Sequence, residues 1–381
     1  MARDVASQVG LIGNVATWGQ NCVFDYNADG QMDLLLSTHG SGPWPLLEGR
    51  GSDPYVEVSS GSFLRNDRHG CAVGDFGGVT DDGQPTGPDG RPDVYATVGA
   101  CRGTCTKSYP HELWIQRSDR TYVNMAAGFH VEDAHGRGRS PMAFDYDNDG
   151  LTDLVVGNDA SSLYFSANRL YRNVGGDFVE KNIGTTAEVS NVCTQNGDFN
   201  GDGWRDLVIC APSKLYVYKN NGGTSFSEVT AGIGLPTGGG TKDVAMVDIN
   251  GDGRQDVVLL QWTSLRVRLN RNDTFGTNDY VFPLKKGSGL AVADADGDGR
   301  PDIFLTQQDN AVNPHYLLLN KGPNATGGWR FATTPIPQLT IGNGDTVQPI
   351  PNWQGSGRAA FLVNNGKWDA KAPRQLIVLE P

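Results

Sequence analysis

Aspartate and asparagine recur at a spacing that suits a hard divalent cation. In its fullest form the motif reads Asp145-Tyr146-Asp147-Asn148-Asp149-Gly150-Leu151-Thr152-Asp153. Carboxylates stand at the first, third, fifth and ninth positions, and glycine stands at the sixth. Oxygen donors on a tight turn are what Ca²⁺ requires, and glycine permits the bend. A helix–loop–helix site would continue into a helix and place a glutamate at the twelfth position. Here that position is Val156, and Leu154, Val155 and Val156 read as a strand. The motif is therefore expected to be a cation-binding turn inside a β-hairpin.

The nonapeptide recurs along the chain, which makes it an architectural repeat. Its oxygen donors are Asp25, Asn27, Asp29 and Asp33; Asp145, Asp147, Asp149 and Asp153; Asp198, Asn200, Asp202 and Asp206; Asp248, Asn250, Asp252 and Asp256; and Asp294, Asp296, Asp298 and Asp302. A further copy holds Asp75, Asp89 and Asp93 around an insert. It has Gly77 at the third position, where Asp81 or Asp82 from the insert would have to substitute. A last copy, Asn352 to Ala360, keeps the turn and has lost every carboxylate. Five or six Ca²⁺ sites of mainly structural role are expected, in seven repeats.

The elements around these turns repeat as well. A strand enters each turn (Ala245-Met246-Val247) and a second leaves it (Val257 to Leu260). A third follows, as in Arg169-Leu170-Tyr171-Arg172-Asn173, and a fourth closes the unit, as in Phe178-Val179-Glu180. Four strands repeated seven times predict an all-β fold, a seven-bladed β-propeller occupying 1–381 as one domain. After the eroded turn only enough chain remains for about two strands. The segment Asp4 to Ile12 mimics Glu228 to Leu235, which follows a fourth strand. Residues 1–13 are therefore expected to supply the outer strand of the last blade and remove its free edge.

These repeats resemble FG-GAP or VCBS repeats, the units of integrin α-chain propellers. The run Asn168 to Asn173 with Asp177 to Glu180 is similar to secreted members of the cartilage acidic protein family. The resemblance covers nearly the whole chain. It implies the propeller and its Ca²⁺ loops, and it carries no catalytic residue with it, because one fold serves many functions.

The formal net charge of −12 argues against nucleic acid as a partner. About half of the acidic residues lie in the cation motifs, so six divalent ions would balance the charge. No apolar run is long enough to span a membrane. Six cysteines point to an oxidising compartment and a secreted protein. Cys193 and Cys210 flank one turn and should face each other. Cys22 and Cys71 precede successive turns on neighbouring inner strands, and Cys101 and Cys105 could close a small loop.

Distinctive side chains gather in the first three repeats, in connections that lie on the face opposite the acidic turns. Trp18, Trp44, Arg65, Arg68, Tyr109 and His130 suit a saccharide or protein ligand, through flat aromatic faces and guanidinium forks. His39, His69 and His135 with Arg137 and Arg139 could form a catalytic site, where histidine removes a proton beside a carboxylated sugar. Later loops, such as Gly238-Gly239-Gly240, are plain. Two functions are expected from this pattern. The first is a Ca²⁺-stabilised module recognising an extracellular glycan or protein. The second is a polysaccharide lyase acting on a uronate-containing glycan. His111 and His315 each begin a third strand and are expected to pack there.

Overall fold

The computed structural model describes residues 1–11, 19–38, 42–59, 61–99, 109–159, 167–182, 193–212, 214–236, 240–276, 280–308, 313–324, 329–337, 346–366 and 372–380. Seven antiparallel sheets of four strands make up the chain, with one extra two-stranded hairpin. The first strands are Cys22–Phe24, Arg68–Gly74, Gly138–Phe144, Cys193–Gly197, Thr241–Val247, Gly287–Ala293 and Thr346–Ile350. Consecutive first strands touch, and that of blade 7 touches that of blade 1, so the sheets form a closed ring around an axis. Among the described residues the only helical turn is Trp353–Gly355, in the eroded seventh loop.

Ring closure takes the form expected from the sequence. Blade 7 runs Thr346–Ile350, Ala360–Asn364, Gln375–Leu379 and then Ala2–Asp4 from the start of the chain. Ala2 pairs with Leu379 and Asp4 with Ile377. The strand itself is short, and most of the closure comes after it. The Asp4 carboxylate accepts the amides of Leu376 and Ala6, each at 3.0 Å. Val5, Ala6, Val9 and Leu11 then sink between blades 7 and 1, against Leu34, Leu36, Ile350 and Leu362.

The apolar core is divided into seven clusters, each filling one gap between neighbouring blades. Second strands are buried on both faces because a blade stands on either side. Asp153–Asn158 and Asp256–Gln261 are buried at every residue. Two disulfides reinforce the inner strands. Cys22–Cys71 ties the first strands of blades 1 and 2, with Cα atoms 6.1 Å apart. Cys193–Cys210 joins directly opposed residues of one hairpin, with Cα atoms 4.9 Å apart. Cys101 and Cys105 lie outside the described residues.

A circumferential strap of hydrogen bonds runs through the acidic turns. The ninth-position aspartates are 0% exposed in all six carboxylate-bearing loops. Each accepts a backbone amide from the second residue of its own loop and one from the third-strand side of the blade, and Asp93 accepts a third from Gly77. For Asp256 these are Ile249 at 3.0 Å and Asn270 at 2.7 Å. The Asn270 side chain then donates to the Phe199 carbonyl of the preceding blade's loop, at 2.6 Å. Asn173, Asn220 and Asn320 do the same to Phe76, Tyr146 and Ile249, and Gln116 does so to Tyr26. Five blade-to-blade junctions are thus bolted by one buried amide each.

Two outcomes follow. Removing residues 1–11 strips four buried apolar side chains and the closing strand, so the whole ring should melt cooperatively at a lower temperature. An unchanged single melting transition would refute this closure. Asn270→Ala leaves the Phe199 and Gln255 carbonyls without a donor, at a cost of roughly 1–3 kcal/mol per unmet buried group. Its melting temperature should fall clearly below that of the exposed control Asn221→Ala, and equal melting of the two would sink the strap.

Candidate functional site

The acidic turns line one face. In each carboxylate-bearing loop the first aspartate organises the bend. The Asp145 carboxylate accepts the amides of Asp149 at 3.2 Å and Gly150 at 2.8 Å. Gly150 has φ 85°, a conformation that costs glycine nothing. In the eroded loop the Asn352 amide oxygen accepts Gly357 at 2.9 Å, so the bend persists there without a carboxylate.

Asp145, Asp147 and Asp149 bring three carboxylate oxygens within 4.8 Å of one another, as do Asp294, Asp296 and Asp298. Within these triads Asp147 Oδ1 and Asp296 Oδ1 are buried acceptors that meet no donor. Clustered carboxylates with orphaned inward oxygens suit a hard cation, so these residues fit Ca²⁺ by their own chemistry. Their outer oxygens are held by Arg172 on Asp147 and Asp149 and by Lys321 on Asp296. Three other loops place an asparagine oxygen at the third position. In the inserted loop, Asp81 and Asp82 are exposed in a hairpin turn between Gly78–Val79 and Pro85–Thr86. Asp82 accepts the Thr80 hydroxyl at 2.5 Å. Neither joins Asp75 and Asp89 in a carboxylate triad among the described residues. The ninth-position aspartates, expected as cation ligands, have both oxygens on backbone amides as described above, and burial pushes Asp153 up to about 7.

A cavity of about 620 Å³ runs along the ring axis, lined by the first strands from their starts on the opposite face to Val247 beside an acidic turn. His69, Arg139, Gln195, Lys242, Asp243 and Gln348 project their chemistry from its wall. His69 and Arg139 meet across the junction of blades 2 and 3. Arg139 Nη1 donates to His69 Nδ1 at 2.6 Å, and its Nη2 donates to Asp159 Oδ2 at 3.2 Å. A guanidinium can only donate, so Nδ1 is the imidazole's lone pair and the proton sits on Nε2. That Nε2 faces Asp67 Oδ1 at 3.2 Å. Burial lowers Arg139 to about 10, against the pull of Asp159. Arg137 joins through the same Asp159 carboxylate at 3.1 Å.

Three of the five expected catalytic residues therefore assemble into one charged array, Asp67–His69–Arg139–Asp159–Arg137. His135 lies exposed in the preceding loop. His39 lies outside the described residues, as does Trp18.

The expected ligand-binding residues disperse. Arg68 is 1% exposed, salt-bridged to Glu112 at 2.5 Å and stacked between Trp44 and Trp114. Trp44 is 0% exposed. Both hold blades 1 and 2 together, out of reach of a ligand. Sequence reasoning misplaced them because a loop tryptophan beside an arginine reads the same whether it packs or binds. Arg65 and Tyr109 are exposed. His130 is exposed and paired with Asp177 at 2.8 Å, which raises its pKa, and it stands apart from the cavity residues. His111 and His315 pack as expected, each accepting an amide of the second strand at Nδ1, Val98 at 3.1 Å and Gln307 at 3.3 Å.

Two cavity groups were missed from sequence. Lys242 places Nζ 5.0 Å from the centre of the Trp262 ring. Asp243, half-exposed to the cavity yet enclosed by protein, accepts the amides of Leu290 and Val244, and desolvation raises it to about 7. A Lys-Asp pair at the start of a first strand is the only signal the sequence offers for them.

The family profile of the FG-GAP-like repeat matches residues 198–259 and 248–305. Human cartilage acidic protein 1 is 28% identical over 168 residues, which is 41% of this chain and 25% of that protein. Its mouse counterpart is 26% identical over 174 residues, 41% of this chain and 26% of that protein. The chain thus spans about a quarter of the length of these relatives. A lectin from Agrocybe aegerita, described by its recognition of non-reducing terminal N-acetylglucosamine, shares the fold with a TM-score of 0.53. It is 17% identical, and the match covers 92% of this chain and 86% of that one. With seven four-stranded sheets closed into a ring, the chain is a seven-bladed β-propeller, and FG-GAP-like repeats occupy residues 198–305 of it.

Proposed function

We propose that this propeller is an extracellular, Ca²⁺-stabilised module that recognises an acidic glycan on the face opposite its acidic turns. The observation that carries the reading is the axial cavity with Arg139 and Lys242 on its wall, in a chain whose net charge is −12. Cations concentrated at one concave site of an acidic protein select for anionic ligands. The disulfides suit an oxidising compartment, and no helix among the described residues is long and apolar enough to cross a membrane. A lectin among the proteins of this fold gives the reading a precedent.

The geometry favours recognition over proton abstraction. Both nitrogens of His69 are engaged, one by Arg139 and one by Asp67. A general base needs a free lone pair facing the substrate. The lyase reading is tested by incubating the protein with uronate-containing polysaccharides and following the ultraviolet absorbance of unsaturated products. Release of such products, abolished in His69→Ala, would replace recognition with catalysis.

The acidic turns hold Ca²⁺ through the first, third and fifth positions, and the ion neutralises carboxylates that repel one another. A site filled at a hundredfold excess over its Kd adds about 2.7 kcal/mol. Millimolar Ca²⁺ should therefore raise the melting temperature well above that in chelator. Asp147→Ala should reduce the number of ions bound, counted by calorimetric titration, while leaving the fold intact. Melting that is indifferent to Ca²⁺ would remove the ion from this account.

On a glycan array the protein should retain carboxylated or sulfated oligosaccharides, and Arg139→Gln should weaken that binding by about tenfold, near 1.4 kcal/mol. Asp243 adds a pH dependence whose sign is fixed. Its raised pKa keeps it largely neutral below about 7, and above that it places a negative charge in the cavity beside the anion. Affinity should fall as pH rises from 6 to 8, and Asp243→Asn should flatten the fall. His69, Arg139 and Lys242 are the other titratable groups on that wall. A flat profile in the unmodified protein would dismiss Asp243 from the site.

A further inference from the structure

A second feature of the same face stands at the junction of blades 5 and 6. Trp262, in the turn between the second and third strands of blade 5, is 38% exposed. Among the described residues it is the most exposed tryptophan, Trp204, Trp329 and Trp353 being half-buried. Lys242 lies over its ring and also lines the axial cavity, so the platform borders the cavity mouth. The connection into blade 6 is laid along the same turn. Leu284 donates its amide to the Thr263 carbonyl at 2.9 Å, and Gly287 donates to the Trp262 carbonyl at 3.0 Å. These two bonds carry Lys285 and Lys286 to the rim beside Trp262. The linker is held from its far side too, because Gln308 donates to the Lys286 carbonyl at 2.8 Å.

The arrangement gathers three lysines around one exposed indole in a protein of net charge −12. Lys285 is exposed, and its ammonium group has no partner among the described residues. Lys242 has the indole alone. The nearest acid in sequence, Asp243, spends its oxygens on the amides of Leu290 and Val244. Among the described residues, the ammonium groups of Lys242 and Lys285 are therefore paired with no carboxylate. An indole presents a flat apolar face to the C–H side of a sugar ring, and the lysine over it fixes the ring in place before any ligand arrives.

We propose that Trp262, Lys242 and Lys285 form a subsite for a sugar bearing sulfate or carboxylate groups. The ring stacks on Trp262, and the two ammonium groups take its anionic substituents. The subsite rests on the reading of this face as glycan-binding. It extends that reading by placing contacts in blades 5 and 6, away from the His69–Arg139 array.

The test is a calorimetric titration of the full chain, with Ca²⁺ present, against three probes: a heparin hexasaccharide, a hyaluronan hexasaccharide and neutral chitohexaose. One or both acidic probes should bind, and chitohexaose should bind at least tenfold more weakly. Trp262→Ala should weaken the acidic probe about tenfold, and Trp262→Phe should recover much of the loss. Lys242→Gln with Lys285→Gln should weaken it further and flatten its dependence on salt. Melting curves of each variant check that the fold is kept. If these variants bind as the unmodified protein does while Arg139→Gln loses affinity, the subsite is wrong and the cavity reading stands. If the unmodified protein binds neither acidic probe, both fall. Preference between heparin and hyaluronan decides whether sulfate or carboxylate is the group recognised.

Discussion

A carboxylate shut away from water anchors each of the first six blades. The ninth-position aspartate costs energy to bury, and its raised pKa records that cost: about 7 for Asp33, Asp153 and Asp206, about 8 for Asp93, and about 6 for Asp256 and Asp302. Backbone amides offset it, one from the acidic turn and one from the third-strand side of the blade. The carboxylate therefore sets the distance between the acidic turn and the end of the third strand. The asparagine at that strand end reaches the preceding turn. Local geometry in one blade is in this way transmitted to the next, and a twist or shift cannot accumulate around the ring.

This strap separates two tasks that the sequence motif runs together. The ninth position closes the blade. In the Asp145 and Asp294 loops the first, third and fifth positions bring their carboxylates together. The seventh loop shows the division directly, because it has no carboxylate and still makes the bend through Asn352 and Gly357. The bend can therefore be made by an amide oxygen in place of a carboxylate. What a cation can change is the cost of holding three negative charges within a few ångströms, a cost that the flanking Arg172, Arg300 and Lys321 relieve only from outside.

Repetition made the fold legible. Six acidic nonapeptides and one eroded copy gave the blade count, and the echo of Glu228–Leu235 in the first residues gave the closing strand. Cysteine positions relative to the turns gave both described disulfides, and strand position gave the packing of His111 and His315. The asparagines of the strap were present in the same repeats and went unread, since a single Asn at a strand end resembles any turn residue. The candidate site was legible only in part. His69, Arg137 and Arg139 are brought together, whereas Trp44 and Arg68 pack between blades. In a propeller a loop side chain turns toward the axis or into the neighbouring blade over a residue or two, and side-chain type alone does not reveal which. Trp262 was overlooked for the opposite reason: its contacts come from Lys242 and the 284–287 connection, which are distant in sequence or cross a blade boundary.

The two faces differ in what constrains them. On the acidic face the first and ninth positions are committed to the bend and the strap, and those positions stay aspartate in six copies. On the other face the connections differ in length and residue type from blade to blade, so each can change at little cost to the ring. Arg139, Lys242 and Trp262 stand there as unlike residues from blades 3 and 5, held around one cavity by strands whose positions are set from below. A rigid repeating base that leaves an irregular rim free is the condition under which a positively charged site can form on a strongly acidic chain. About half of the acid is gathered in the turns, and the first strands carry Arg139 and Lys242 to the far side of the same ring.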